Sequence, residues 1–198
     1  TEKSKLNPVS LYAKCKIACE EQILSHSSKK ITSTIIRLAT VHGDSLRKRF
    51  DLVVNKFFIF GLLKKKITLF GEKNWRPLVS VDDVVKSIII ILNSPKTKIS
   101  RQILNVGFSQ ENFTIGDIAK KIKKIINFDF KIVPQLEDTR SYKVSFKKIE
   151  KYFKFKPTLT LNQSLKKMKD VYYNKKINLN NINFYNEKKI KFLLNKKN

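Results

Sequence analysis

The chain is poor in cysteine, glycine, proline and tryptophan, and these shortages exclude several kinds of site. Its 198 residues include only two cysteines, five glycines, five prolines and one tryptophan. Cys15 and Cys19 are one helical turn apart, a spacing that offers neither a zinc quartet nor a Cys-x-x-Cys redox pair. We therefore expect both cysteines to be reduced packing residues on one helix, and we expect no metal site.

Glycine-rich turns and membrane-length apolar runs are absent as well. No glycine lies in a Gly-x-x-Gly-x-x-Gly or Gly-x-Gly-x-x-Gly pattern, the patterns that hold a dinucleotide pyrophosphate against a helix N-terminus. The apolar run at residues 88–92 is too short to cross a bilayer and predicts a buried helix face. Because no secretory leader is visible either, the sequence predicts a cytoplasmic protein with no membrane span.

Acidic residues are scarce, since 16 Asp and Glu stand against 42 Lys and Arg for a formal net charge of +26. Charge alone would indicate nucleic acid or an anionic membrane surface as the partner. The basic residues are mostly lysines spread over every segment, however, and no signature of a nucleic-acid-binding module accompanies them. We therefore expect no nucleic-acid partner, whereas anionic ligands are favoured by a long-range attraction that salt screens.

Apolar periodicity predicts helices that alternate with strands around one core. Strands are predicted at residues 32–41, 67–70, 101–107 and 131–133. Helices are predicted at residues 8–25, 52–63, 115–126, 145–153 and 161–173, with one more that starts at Asp82 or Asp83. Thr114 and Asp117 predict an N-terminal capping box. Strands separated by helices indicate an α/β fold with a mainly parallel sheet.

The last segment differs in composition from the rest. Residues 174–198 are rich in lysine and asparagine, with scattered apolar residues such as Ile177 and Phe184. We therefore divide the chain into residues 1–173 and a basic tail of residues 174–198, for which we expect limited order. A terminal helix that docks on the fold is the alternative, and a tethering role at a membrane or partner stays open.

The start of the chain carries the clearest chemical motif. Tyr12 and Lys16 are four residues apart in a predicted helix, so both side chains lie on one face. A neighbouring ammonium can lower the pKa of a phenol and make it a usable acid and base near neutral pH. The spacing by itself also fits a half-buried aromatic beside a solvated lysine.

An ordered series of motifs follows the Tyr-x-x-x-Lys step. It includes Arg37-Leu-Ala-Thr-Val-His-Gly43, Trp75-Arg-Pro-Leu-Val-Ser-Val-Asp-Asp-Val84, Leu104-Asn-Val-Gly107 and Arg140-Ser-Tyr-Lys-Val-Ser-Phe-Lys-Lys-Ile149. From Thr1 to about Met168 the chain resembles the extended short-chain dehydrogenase/reductases, specifically the NAD-dependent epimerase/dehydratase family that modifies nucleotide sugars. The resemblance implies the C-terminal part of a Rossmann-like parallel sheet plus a smaller α/β substrate-binding lobe.

The resemblance also implies a catalytic centre. Tyr12 would exchange a proton with a sugar oxygen, and Lys16 would depress the pKa of Tyr12 and bind the nicotinamide ribose of NAD or NADP. Ala39, Thr40 and Val41 match the strand end that packs against the nicotinamide. The family's serine or threonine donor and its glycine-rich turn precede the tyrosine in relatives, so we expect an N-terminally truncated member.

Substrate contacts are implied by the same resemblance. Arg76 and Arg140 match arginines that hold the diphosphate of a nucleotide-diphosphate sugar, and Asn55, in the segment that precedes the substrate-side helix, is a further expected contact. Bidentate recognition explains why arginine matters there although lysine is abundant. The alternative for both arginines is a surface ion pair with one of three acidic residues, Asp82, Glu137 or Asp138. Relatives often dimerise, so we expect a homodimer for the complete protein.

For His42 and Trp75 we expect structural rather than functional roles. His42 stands at a strand end. We interpret it as a buried, neutral histidine with one hydrogen-bond partner rather than as a general base. Trp75 is expected to anchor the Arg-Pro turn rather than to stack on a sugar.

Two functions follow from these observations. One is the C-terminal part of an NAD-dependent nucleotide-sugar epimerase or dehydratase, of 4-epimerase or 4,6-dehydratase type. The other is a catalytically inactive fragment or binding module that lacks the cofactor site.

Overall fold

A computed structural model describes residues 1–28, 30–134 and 140–195 of the chain. The first half runs α1 (Leu11–Ser25), β1 (Thr34–Leu38), β2 (Thr40–His42), α2 (Val53–Lys64), β3 (Lys66–Phe70), β4 (Trp75–Ser80) and α3 (Val81–Leu92). The second half runs α4 (Lys96–Ile99), β5 (Gln102–Val106), β6 (Asn112–Thr114), α5 (Ile115–Lys123), β7 (Asp129–Val133), α6 (Lys147–Phe153), α7 (Leu161–Tyr172) and α8 (Asn186–Asn195). Single 3₁₀ turns lie at Ser109–Glu111 and Ile182–Phe184.

The strands pair in three small sheets, and most pairs are parallel. β1 pairs with β5, β2 with β4, and β3 with β7, each in parallel, while β4 and β6 form an antiparallel pair. Helices connect the parallel partners, as a parallel pair requires a crossover. The predicted α/β class with a mainly parallel sheet is therefore confirmed, although the sheet is divided into separate pieces.

Two hydrophobic clusters correspond to this division. The first gathers β3, α2, α5 and α7 around side chains that include Phe58, Leu69, Ile118 and Leu165. The second packs β5 against α3 and α6 and includes Val106. Of the two cavities described below, one is lined in part by Phe57 and Ile115 of the first cluster and the other by Ala39 and Phe146 of the second.

Several predicted elements form with shifted limits. The strand predicted at residues 32–41 is broken at Ala39 into β1 and β2, because β1 pairs with β5 whereas β2 pairs with β4. α3 begins at Val81 rather than at Asp82 or Asp83, since the hydroxyl of Ser80 caps it by accepting from the N–H of Asp83. The capping box of Thr114 and Asp117 at the start of α5 is confirmed.

Three expectations differ from the structure. The apolar run at residues 88–92 is not a buried helix face, because Ile89 and Leu92 lie on a side of α3 that the described chain leaves 52% and 73% exposed. Cys15 and Cys19 are exposed and free rather than packed, because α1 has no buried residue. The segment expected to have limited order instead contains α8 and buries Tyr185 in the first cluster. Its apolar side chains are numerous enough to pack there in spite of the surrounding lysines. Among the described residues, no helix has both the length and the apolar character needed to cross a membrane.

Candidate functional site

Tyr12 and Lys16 lie next to each other on an exposed face of α1. The helix starts after Ser10, whose hydroxyl oxygen accepts a hydrogen bond from the N–H of Ala13 at 3.2 Å. The Nζ atom of Lys16 lies 5.6 Å from the centre of the Tyr12 ring, and Tyr12 is 73% exposed. The phenol is therefore open to a ligand, with the ammonium beside it.

An ion pair holds α1 beside β1. Nε and Nη2 of Arg37 donate to Oε1 and Oε2 of Glu20 at 3.0 and 2.5 Å. A two-point contact of this kind fixes direction as well as distance. The pair keeps α1 against the end of β1, so that Tyr12, Leu38 and Ala39 line the same cavity.

This first cavity has a volume of about 730 Å³ and is the larger of the two cavities that meet at the site. Tyr12 and Ala13 border it on one side, Leu38 and Ala39 on a second, and residues 140–144 on a third. We call it the tyrosine cavity. Its lining combines the exposed phenols of Tyr12 and Tyr142 with apolar side chains and with basic ones such as Lys143. Such a surface suits a flat ring beside a proton donor.

A second cavity, of about 440 Å³, lies on the other side of β4 and contains both predicted arginines. Arg76 from β4 and Arg140 line it together with Thr40, Lys56 and Thr68. We call it the arginine cavity. Asp51 also borders it, but Nε and Nη2 of Arg49 donate to its carboxylate at 2.8 and 3.2 Å. Burial raises the pKa of Asp51, yet the hydrogen bonds from Arg49 and other groups outweigh burial and leave it below its ordinary value.

The two cavities meet at Arg140 and Tyr142, which line both of them. Arg76 braces this junction, because its Nη1 atom donates to the main-chain oxygen of Trp75 at 2.9 Å and to that of Arg140 at 2.6 Å. The guanidinium carbon of Arg76 also lies 5.9 Å from the centre of the Tyr142 ring. A ligand that filled both cavities would therefore pass between the phenol of Tyr12 and the guanidinium groups.

The predicted strand-end contacts are divided between the two cavities. Ala39 lines the tyrosine cavity and Thr40, the next residue, lines the arginine cavity. Val41 is half-buried and packs against the second hydrophobic cluster. The break between β1 and β2 thus brings two consecutive residues to two different walls of the site.

Asn55 lies apart from the other predicted substrate contacts. It is buried in α2, where its Oδ1 accepts from the N–H of Gly43 at 3.0 Å and its Nδ2 donates to the Gly43 oxygen at 3.3 Å. Gly43 has a φ of 115°, a conformation that side chains disfavour. Asn55 therefore stabilises the turn after β2.

Of the three acidic residues that were alternative ion-pair partners for Arg76 and Arg140, the structure describes Asp82. Asp82 pairs with Lys167, at 3.0 Å, while Glu137 and Asp138 lie outside the described residues. Trp75 is half-buried, and Nζ of Lys143 lies 3.6 Å from its ring centre. The indole thus packs beside the junction of the cavities.

His42 belongs to a buried polar cluster rather than to either cavity. Its Nδ1 lies 3.0 Å from Oγ of Ser164, and both residues are buried. Burial lowers the pKa of His42 to about 4, against smaller opposing effects of Asp83 and Asp82. The imidazole is therefore neutral at pH 7 and shielded from solvent, which agrees with a packing role.

The described residues form no metal centre, and the tyrosine cavity is the place where a dinucleotide could be accommodated. Within ranges 1–28, 30–134 and 140–195, no group of three or more His, Cys, Asp or Glu side chains is arranged to hold a metal ion. Tyr12 and Ala39 line the open tyrosine cavity, and Lys16 lies beside the Tyr12 ring without lining the cavity. A phenol next to an ammonium at an open cavity has the donors that the nicotinamide and ribose end of NAD or NADP would need.

Sequence comparison identifies the family of the chain. The family described as "NAD dependent epimerase/dehydratase family" matches residues 1–107, which is more than half of the 198 residues. The chain belongs to this family. An uncharacterized protein of Schizosaccharomyces pombe is 28% identical over 203 residues, covering 87% of the chain and 55% of that protein.

Solved structures of epimerases and dehydratases share the fold. A dTDP-glucose 4,6-dehydratase from Bacillus anthracis, in complex with NAD, matches 95% of the chain with a TM-score of 0.74 and 20% identity. A UDP-glucuronic acid 4-epimerase from Bacillus cereus, in complex with UDP-glucuronic acid and NAD, matches 87% with a TM-score of 0.72 and 23% identity. The chain spans only 58% and 56% of these two structures.

The sequence motifs did not predict every residue that lines the two cavities. Tyr142 and Lys56 line the cavities but were not singled out from the sequence. For Tyr142 a signal existed, because it is an aromatic residue two positions after Arg140 in a matched motif. Lys56 carried none, since lysine is the most common charged residue of the chain.

Proposed function

We propose that this chain is the substrate-side part of an NAD(P)-dependent enzyme that acts on a nucleotide-diphosphate sugar. The complete protein would contain an N-terminal part that supplies the glycine-rich turn and the serine or threonine donor. It would act as a 4-epimerase or a 4,6-dehydratase, and as a homodimer. The family membership supports an epimerase or dehydratase, and the arrangement of the two cavities supports the assignment of residues within it.

One observation carries the proposal. The tyrosine cavity and the arginine cavity share Arg140 and Tyr142 in their walls, so the cavity that contains Tyr12 adjoins the cavity that contains Arg76. A nucleotide-diphosphate sugar has the matching order of parts, because its reacting hexose is attached directly to the diphosphate. The sugar would lie toward Tyr12 and the diphosphate toward Arg76.

In this proposal, Tyr12 moves the proton. Its Oη removes a proton from a sugar hydroxyl as the carbonyl forms, and returns one when the carbonyl is reduced. Lys16 stabilises the phenolate by its positive charge and binds the nicotinamide ribose. NAD or NADP, when bound, accepts and returns the hydride. A tyrosine in the open tyrosine cavity can reach a substrate oxygen without a change in the fold.

Arg76 and Arg140 hold the diphosphate in place. Guanidinium groups form paired hydrogen bonds with phosphate oxygens, which an ammonium cannot do in the same geometry. The formal net charge of +26 adds a diffuse attraction for a dianionic substrate. Holding the diphosphate fixes the distance between the sugar and Tyr12, so the arginines act on positioning as well as on affinity.

The second candidate is a binding module without catalysis. It is favoured by the absence of a glycine-rich pattern from these 198 residues. That candidate predicts weak NAD binding by this chain, whereas micromolar affinity measured by calorimetry would contradict it. Nucleotide sugars would still bind through the arginine cavity in either case.

The test is the Tyr12→Phe variant of the complete enzyme, which removes the phenolic proton and keeps the ring. We expect turnover of the nucleotide sugar to fall by at least about a hundredfold, with NAD affinity little changed. Tyr152→Phe is the matched control, because Tyr152 is an exposed tyrosine that lines neither cavity. Near-normal turnover in Tyr12→Phe would show that another group transfers the proton.

A further inference from the structure

The C-terminal helix α8 exposes an apolar stripe. Ile190, Leu193 and Leu194 are spaced three and four residues apart, so they lie along one face of the helix. They are 56%, 50% and 60% exposed, respectively, and α8 has no buried residue. The stripe is therefore an apolar surface that no part of the described chain covers.

Lysines border the stripe on both sides. Lys189 and Lys191 are each one position from Ile190, which places them about 100° to either side of it around the helix axis. The acidic residue of α8 is Glu187, and its Oε1 lies 2.8 Å from Nζ of Lys191. The sequence continues with Lys196 and Lys197, which lie outside the described residues. The pattern is that of a basic amphipathic helix.

Contacts at the start of α8 direct the stripe away from the protein. The N–H of Asn186 donates to the Asp51 carboxylate at 3.2 Å, and the N–H of Lys189 donates to the Tyr185 oxygen at 3.0 Å. Asn186 and Lys189 are half-buried, whereas Lys188 is exposed, so the side of α8 nearest the protein is that of Asn186 and Lys189. Ile190 and Leu194 lie about 100° and 140° from Lys189 around the helix axis, and Leu193, at about 40°, is still 50% exposed.

We propose that α8 docks this protein on an anionic lipid bilayer, with the stripe among the acyl chains and the lysines at the headgroups. Lysine side chains can reach the headgroup level while their stems cover apolar surface, and an anionic leaflet attracts each of them. A second copy of the chain is a poorer occupant, because two surfaces of a protein with a formal net charge of +26 repel each other. The proposal is independent of the enzymatic function.

The test measures co-sedimentation of the chain with sucrose-loaded vesicles. One set contains phosphatidylcholine alone, and the other contains phosphatidylcholine with phosphatidylserine. We expect the chain to bind the anionic vesicles and not the neutral ones. The triple variant Ile190→Ser, Leu193→Ser, Leu194→Ser should lower binding by at least about tenfold, and Lys189→Glu with Lys191→Glu should lower it by a similar factor.

Matched controls separate docking by α8 from general attraction. Val85→Ser, Ile89→Ser, Leu92→Ser removes three exposed apolar side chains from α3, and Lys96→Glu with Lys156→Glu makes the same change of net charge on other exposed residues. Both controls should bind like the unchanged chain. Equal losses in the α8 and control variants, equal binding to neutral vesicles, or no binding at all would each overturn the proposal. Self-association that the α8 triple variant abolishes, without vesicle binding, would assign the stripe to a second copy instead.

Discussion

The guanidinium of Arg76 donates a 2.6 Å hydrogen bond to the main-chain oxygen of Arg140, so one predicted substrate arginine positions the other. The two residues are 64 positions apart in the sequence. Ser141 and Tyr142 add to the same connection, because the hydroxyl of Ser141 accepts from the N–H of Trp75 at 3.1 Å and the N–H of Tyr142 donates to the Trp75 oxygen at 3.4 Å. The wall between the cavities therefore depends on β4.

Arg76→Lys keeps the charge of this position and removes the planar fork. We expect affinity for nucleotide-diphosphate sugars to fall by about tenfold or more, because an ammonium cannot brace Arg140 and bind a diphosphate together. Titration of UDP-glucose, followed by emission of Trp75, measures both effects, since the sole tryptophan adjoins the junction. Arg47→Lys is the control, as Arg47 is exposed and bonds to Asn186. Equal affinities in the two variants would remove Arg76 from the binding site.

Protonation of His42 should destabilise the fold in mild acid. Burial lowers its pKa from 6.5 to about 4, so the unfolded chain binds the extra proton between these pH values and the folded chain does not. The free energy of unfolding should therefore fall by about 2 kcal/mol from pH 7 to pH 5. Urea denaturation at both pH values measures this change. His42→Gln should lose this part of the pH dependence, whereas carboxyl groups such as Glu111, whose pKa burial raises, still titrate in both proteins.

Asn55→Ala should act on stability rather than on substrate affinity. It leaves the N–H and the oxygen of Gly43 without the amide that pairs with both. We expect a loss of about 2 kcal/mol in the free energy of unfolding, measured by urea denaturation. Asn127→Ala, at an exposed asparagine, should change it by less than about 0.5 kcal/mol. A variant of normal stability with weakened UDP-glucose binding would restore Asn55 to the substrate site.

Gly107→Ala should disturb the second hydrophobic cluster. A Cβ at this position would lie 2.6 Å from Cζ of Phe146 and 3.0 Å from Cβ of Ala39, and Phe146 is fully buried. We expect a loss of about 2 kcal/mol in unfolding free energy. In a Phe146→Leu background, which removes the atoms in closest contact, the same substitution should have a much smaller effect. A double-mutant cycle measures this difference, and equal effects in both backgrounds would contradict the contact.

Local sequence was sufficient where a structural feature depends on neighbouring residues. The capping box of Thr114 and Asp117 needs only four consecutive residues to form, and Tyr12 meets Lys16 because both lie on one helix. The parallel β/α order likewise follows from the alternation of apolar patterns. These features do not require knowledge of what packs against them.

Other features were decided by partners that are distant in the chain. Cys15 and Cys19 are exposed because nothing described covers that face of α1, and the segment before α8 packs on the protein because Phe184 and Tyr185 join the first cluster. Asn55 was expected to contact substrate, yet its amide is engaged by Gly43. Local sequence indicates which side chains are available, and packing decides which of them remain accessible.

The sequence by itself therefore determined the helices, the parallel strands and the Tyr12–Lys16 pair at its start, since each depends on residues within a few positions. Only the tertiary structure decided that Tyr12 shares a cavity with Arg140 and that this cavity adjoins the one that contains Arg76. The physical reason is that the site is formed by α1, the break between β1 and β2, β4 and residues 140–144. Their relative positions follow from long-range contacts such as those of Arg37 with Glu20 and of Arg76 with Arg140.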